Sequence, residues 1–93
     1  MGRRKKKNDI GDINKVRQFL SDAYGLSTQI VNEYHMKVRH DDHDGWYDWY
    51  HTTGTVVATS RGIDGEYHSK SFAHCLEEED LAVKINQHIY EKS

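Results

Sequence analysis

Histidine supplies the first candidates for chemistry, with seven in 93 residues. The run His40-Asp41-Asp42-His43-Asp44 places two imidazoles and three carboxylates in one turn. These are ligand types for zinc or another divalent ion, and His35 and His51 stand on the flanking arms. The spacing repeats no established zinc pattern, and Cys75 has no cysteine partner. A polar hairpin tip accounts for the run. His40 and His43 are the ligand candidates if a metal is held, and no cofactor is expected.

Two further groups raise the question of catalysis. His51-Thr52-Thr53 and His68-Ser69-Lys70-Ser71 resemble the paired His-x-Thr/Ser motifs of phosphoesterases. In that family each His acts as acid or base and each hydroxyl orients phosphate. Here the two lie 17 residues apart, in a chain much shorter than that duplicated fold. His74 and Cys75 form a thiol–imidazole pair only in sequence, because neighbours on a strand point to opposite faces. There is no Gly-rich phosphate loop and no serine elbow. The expectation is a non-catalytic protein.

The elements that position these residues follow from periodicity. Asp9 or Asp12 can cap a helix running to about Tyr24, with Ile13, Val16, Leu20 and Ala23 on one face, Phe19 and Tyr24 at its edges, and Gly25 as the stop. Gln29 to Thr59 reads as one long hairpin. In its first arm Ile30, Tyr34, Met36 and Val38 alternate with Val31, Glu33, His35, Lys37 and Arg39, the pattern of a half-buried strand. Asp41 to Gly45 supply the turn. The second arm is aromatic and then β-branched, with Gly54 expected to mark a bulge. After a second turn at Arg61 to Gly65, Glu66 to Ala73 forms a third strand anchored by Tyr67 and Phe72. A last helix starts near Glu77, where Glu77, Glu78, Glu79 and Asp80 face the positive end of the helix dipole. It buries Leu81, Ala82, Ile85 and Ile89, with Tyr90 packed at its edge.

The expected fold is α+β, a two-layer α-β-β-β-α arrangement with two helices on one face of a three-stranded antiparallel sheet. Residues 9–93 form one small domain. Residues 1–8 form a disordered basic tail, since Arg3, Arg4, Lys5, Lys6 and Lys7 are all cationic. The rest of the chain has 8 Lys+Arg against 15 Asp+Glu, a balance of −7, so a basic tail is joined to an acidic body. Nothing approaches the ~20 apolar residues of a membrane helix, and no apolar segment follows the basic start as in a secretory signal. A single cysteine fits a reducing, cytoplasmic setting.

Two resemblances bear on function. The element order is similar to that of double-stranded-RNA-binding domains over about residues 9–92. In that family a His lies in the loop after the first strand, where this chain has His43, and a basic cluster opens the last helix. Here that helix opens with Glu77-Glu78-Glu79, which repels phosphate. Tyr47-Asp48-Trp49-Tyr50-His51-Thr52-Thr53-Gly54-Thr55-Val56 resembles a hairpin segment of small phage proteins. That resemblance implies a bacteriophage or viral accessory protein that binds a host factor, in the host cytoplasm.

The leading expectation is therefore a small protein that docks on a host protein and modulates or inhibits it. Its contacts would be Trp46, Trp49 and Tyr50, since interface hot spots favour Trp, Tyr and Arg. Arg39, Asp42 and Asp44 would form the rim. The alternative is a nucleic-acid-binding protein using Arg3 to Lys7 and a strand face around His35, Lys37 and Arg39. A homodimer would form through an open sheet edge.

Overall fold

The computed structural model describes residues 10–92, so the basic tail and its Arg3, Arg4, Lys5, Lys6 and Lys7 lie outside the described residues. The order is α1 (Ile13–Tyr24), β1 (Ser27–Asn32), β2 (His35–Arg39), β3 (Gly45–Tyr50), β4 (Thr55–Arg61), β5 (Tyr67–His74) and α2 (Glu78–Lys92). The protein is α+β with one five-stranded antiparallel sheet in sequential order, not the three strands expected from the sequence.

The two additional strands come from dividing both arms of the expected hairpin. In the first arm, the side chain of Asn32 accepts the Tyr34 N–H at 3.0 Å and closes a two-residue turn. In the second, the Thr53 and Gly54 N–H groups both donate to Tyr50 O, at 3.1 and 2.7 Å. Gly54 has φ +91°, a conformation that suits glycine. The Thr52-Thr53-Gly54 segment is therefore a hairpin turn and not a bulge. The bulge lies across the ladder on β5, where Val56 pairs with Ala73 but Val57 pairs with Ser71. Phe72 is the extra residue.

Both ends of α1 are closed as expected. Asp12 Oδ1 accepts the Asn14 N–H at 2.9 Å. Gly25 takes φ +65° while its N–H donates to Ser21 O and that of Leu26 to Leu20 O, each at 3.0 Å, which satisfies the last carbonyls of the helix. Val16 and Leu20 are buried, but Ala23 is exposed. In α2, Leu81, Ala82, Ile85 and Ile89 form the buried stripe, while Tyr90 is 82% exposed and packs at no edge.

One core holds the layers together. Val16, Leu20, Leu81, Ile85 and their helix neighbours meet Met36, Val38, Tyr47, Trp49, Val56 and Ala58 from one face of the sheet. Burying such side chains is the main favourable term in folding. Trp49 and Tyr47 are the largest fully buried residues. The Trp49 indole N–H donates to Cys75 O at 2.8 Å, fixing the connection into α2. Tyr47 shares a 2.7 Å hydrogen bond with His88 Nδ1 of α2 and packs against Phe72 at 5.2 Å.

Burial pushes the Tyr47 phenol up to about 12. The unfolded chain ionises this group near pH 10, ahead of the folded protein. Its contribution to stability is therefore intact below pH 10 and is lost as pH rises towards 12. Urea midpoints measured between pH 9 and 12 are expected to fall more steeply for the native chain than for Tyr47→Phe, whose position cannot ionise. Equal slopes would show that Tyr47 is not the group responsible.

Candidate open-face binding surface

Cross-strand register decides which residues share the sheet face away from the core. Met36 pairs with Trp49 and Val38 with Tyr47 on the core side, so Lys37 opposite Asp48 belongs to the other face. The β3–β4 and β4–β5 ladders extend that face to Trp46, Tyr50, Val57, Thr59, Arg61, Tyr67 and Ser69. The buried residues of both helices belong to one cluster with the opposite, core side.

The centre of the open face is an aromatic and cationic cluster around Trp46. Lys37 Nζ lies 4.8 Å from its ring centroid and the Arg39 guanidinium 5.9 Å, within reach of cation–π attraction. Tyr67 lies 5.3 Å from Trp46, and the Arg61 guanidinium lies 5.6 Å from the Tyr67 ring. Asp48 locks the cluster from below. One carboxylate oxygen accepts the Trp46 indole N–H at 3.1 Å, and the other bonds His35 Nε2 at 2.8 Å. His35 in turn stacks on Tyr50 at 4.3 Å with a 24° interplanar angle. The His35–Asp48 pair thus orients two aromatic groups.

The structure separates the two tryptophans. Trp46 is half-buried on the open face, while Trp49 has no exposed surface. The expectation that Trp49 contacts a partner is corrected, because β3 alternates and odd positions 47 and 49 face the core. Tyr50, Arg39, Asp42 and Asp44 are accessible to differing degrees. Tyr67, expected as a core anchor, is 49% exposed on the open face. Sequence reading also left Arg61 out of the site. The available signal was the Gly62-to-Gly65 turn, which pairs Arg61 with Tyr67.

The loops around this cluster are acidic. The β2–β3 loop carries Asp41, Asp42 and Asp44, and the β4–β5 turn carries Asp64 and Glu66. Both loops lie at the same end of the sheet, and the Arg61 N–H donates to Asp44 O at 3.1 Å. Asp64 is held below the usual carboxylate range, first by the Glu66 N–H and then by His68.

The remaining candidate groups are dispersed. His43 is buried, stacks on Tyr47 at 4.5 Å and bonds Thr59 O at 3.2 Å. His40 Nδ1 accepts the Asp42 N–H at 3.0 Å within its own loop. The two imidazoles do not converge, and no group of three metal-binding side chains occurs among the described residues. His51 and His68 lie near opposite ends of β4: His51 is in the turn before Thr55, and His68 pairs with Ser60. The phosphoesterase-like motifs therefore do not assemble. Burial lowers the His51 pKa, and the charge of His35 adds to that shift. Cys75 is buried, and burial raises its thiol pKa, with Asp80 adding to the effect. Exposed His74 bonds Thr53 O at 2.9 Å.

Comparison with family models, curated proteins and solved structures finds no match to this chain. Among the described residues, no helix is long and apolar enough to cross a membrane.

Proposed function

We propose that this chain is a non-catalytic binding protein that docks on another protein through its open sheet face. The observation carrying this reading is the Trp46 cluster, in which Trp46 and Tyr67 stand among Lys37, Arg39 and Arg61 on the sheet face opposite the one whose residues form the core with α1 and α2. Aromatic residues and arginine at the centre with charged residues at the margin are the usual composition of an interface hot spot. Asp48 holds Trp46 in place before binding, which lowers the entropy lost on association. The resemblance of Tyr47 to Val56 to phage proteins supports a host protein as the partner. Modulation or inhibition of that protein would follow from occupying its surface.

Aromatic residues beside cations also suit single-stranded nucleic acid, which stacks on rings and pairs phosphate with cations. Five carboxylates at one end of the cluster disfavour that ligand. The test is a pull-down from nuclease-treated host lysate with the full chain, a chain beginning at Asn8, and Trp46→Ala. The expected result is one protein retained by the first two and lost with the third. Loss after nuclease treatment, or loss with the first seven residues, would replace protein docking with nucleic-acid binding.

A further inference from the structure

The β4–β5 turn carries an apolar side chain that neither the core nor the turn uses. Ile63 is fully exposed, at 109% of its reference area, and no other large apolar side chain among the described residues passes the 82% of Tyr90. Gly, Pro, Asn, Asp and Ser favour turns through their backbone freedom or local hydrogen bonds, and a β-branched residue supplies neither. Apolar residues exposed singly are ordinary, but Ile63 is also fixed in position. The Gly65 N–H donates to Gly62 O at 3.0 Å, closing a four-residue turn with Ile63 and Asp64 at its centre, and the Gly62 N–H donates to Glu66 O at 2.7 Å. Asp64 Oδ1 accepts the Glu66 N–H at 3.0 Å, and His68 Nε2 lies 3.2 Å from both Asp64 oxygens. A side chain presented on such a frame loses little freedom when a partner covers it.

The charge around this tip is acidic. Asp41, Asp42 and Asp44 of the adjoining β2–β3 loop and Asp64 and Glu66 of the turn supply five carboxylates. The cations of this end are Arg39 and Arg61, and each lies over a ring of the open face, Arg39 over Trp46 and Arg61 over Tyr67. Five carboxylates against two guanidinium groups leave three negative charges, with His40 and His68 neutral. Arg61 and Tyr67 pair at the base of the turn, so the tip continues the surface of the Trp46 cluster.

We infer that Ile63 is a second anchor of the docking surface, inserting into an apolar pocket of the partner protein whose margin carries lysine or arginine. This rests on the open sheet face being the docking surface, and it adds the chemistry of the partner beyond the sheet. Full burial of an isoleucine side chain corresponds to about a 10- to 100-fold gain in affinity. The carboxylates around the tip attract a basic margin and reject an acidic one. They also repel the phosphates of nucleic acid and the surface of an anionic membrane.

The test uses the full chain and the protein it retains from nuclease-treated host lysate, with vesicles of phosphatidylcholine, with and without phosphatidylserine, in parallel. Ile63→Ala and Asp42→Lys each alter an exposed side chain, and their urea midpoints should match that of the native chain. In calorimetric titration with the retained protein, Ile63→Ala should weaken binding about 30-fold and Asp42→Lys about threefold. A photo-crosslinking residue in place of Ile63 should mark an apolar segment of that protein beside Lys or Arg. If Ile63→Ala binds as the native chain does while Trp46→Ala does not, the open face is the docking surface and the anchor is wrong. Loss with Ile63→Ala alone keeps the anchor and ends the open-face reading. If neither variant changes binding, or no protein is retained, both are wrong. Tighter binding by Asp42→Lys, or Ile63-dependent binding to vesicles or to a second copy in sedimentation, also overturns the anchor.

Discussion

Replacing Trp49 by alanine is expected to cost about 3–5 kcal/mol of folding stability, the range for truncating a large buried aromatic residue. Two terms add. The indole has no exposed surface and lies in the core with Met36 and Val56, so removal loses its transfer energy and leaves a cavity. Its N–H also bonds Cys75 O at 2.8 Å, and that buried acceptor would lose its partner. Domains of this size have roughly 5–15 kcal/mol in total, so the variant should be partly unfolded at 37 °C. Trp49→Phe separates the terms. It keeps most of the ring volume and loses the donor, and should cost about 1–3 kcal/mol. Urea unfolding followed by far-ultraviolet circular dichroism measures both. A Trp49→Ala midpoint equal to that of the native chain would contradict the burial of this side chain.

This prediction separates two residues that the sequence presents alike. Trp46 and Trp49 belong to one aromatic run, and composition alone does not say which of them is core and which is exposed. Parity decides between them. Tyr47 and Trp49 share the face that packs with the helices, while Trp46, Asp48 and Tyr50 share the other. Parity becomes readable only when the core face of β3 is known, and pairing with Met36 and Val38 of β2 supplies that. The clean β2 alternation was visible in the sequence because each buried residue there is apolar and each outer one polar.

The same alternation explains why two strands were missed. Ile30 pairs with Met36 and Asn32 with His35, with a register shift between. That shift keeps residues of equal parity on one face, so a period-two pattern runs through the turn as if the chain were straight. Glu33-Tyr34 carries neither Gly nor Pro to mark the reversal. It is closed by the Asn32 side chain, a turn signal that a single Asn gives weakly. Gly54 did mark an irregularity, but a bulge and a four-residue turn ask the same freedom of a glycine. The helices were legible because caps and periodicity agreed: Asp12 and Gly25 bound α1, and the acidic first turn precedes the α2 stripe. The contact between Trp46 and Tyr67 joins β3 to β5, strands that are consecutive neither in the chain nor in the sheet, and no local pattern encodes it.

Trp46→Ala is expected to weaken partner binding about 100-fold, equivalent to about 2.7 kcal/mol, with only a small change in stability. Its ring is half-buried on the open face and absent from the core. Truncation removes more than one contact, because Lys37, Arg39 and Tyr67 are all arranged around this indole. Asp48→Ala should reproduce part of the loss, about tenfold, by releasing the Trp46 N–H and His35 from their common acceptor. Arg61 contacts Tyr67 from the far side, so Arg61→Ala should cost less than either. Calorimetric titration with the partner recovered by pull-down gives all three values. If Asp48→Ala matches Trp46→Ala, orientation of the indole is the dominant contribution. If Trp46→Ala binds as the native chain does, the open face is not the docking surface. Lys37→Glu and Arg39→Glu complete the argument, because a partner chosen for carboxylates at the centre should reject both, whereas one held only by apolar contact should tolerate them.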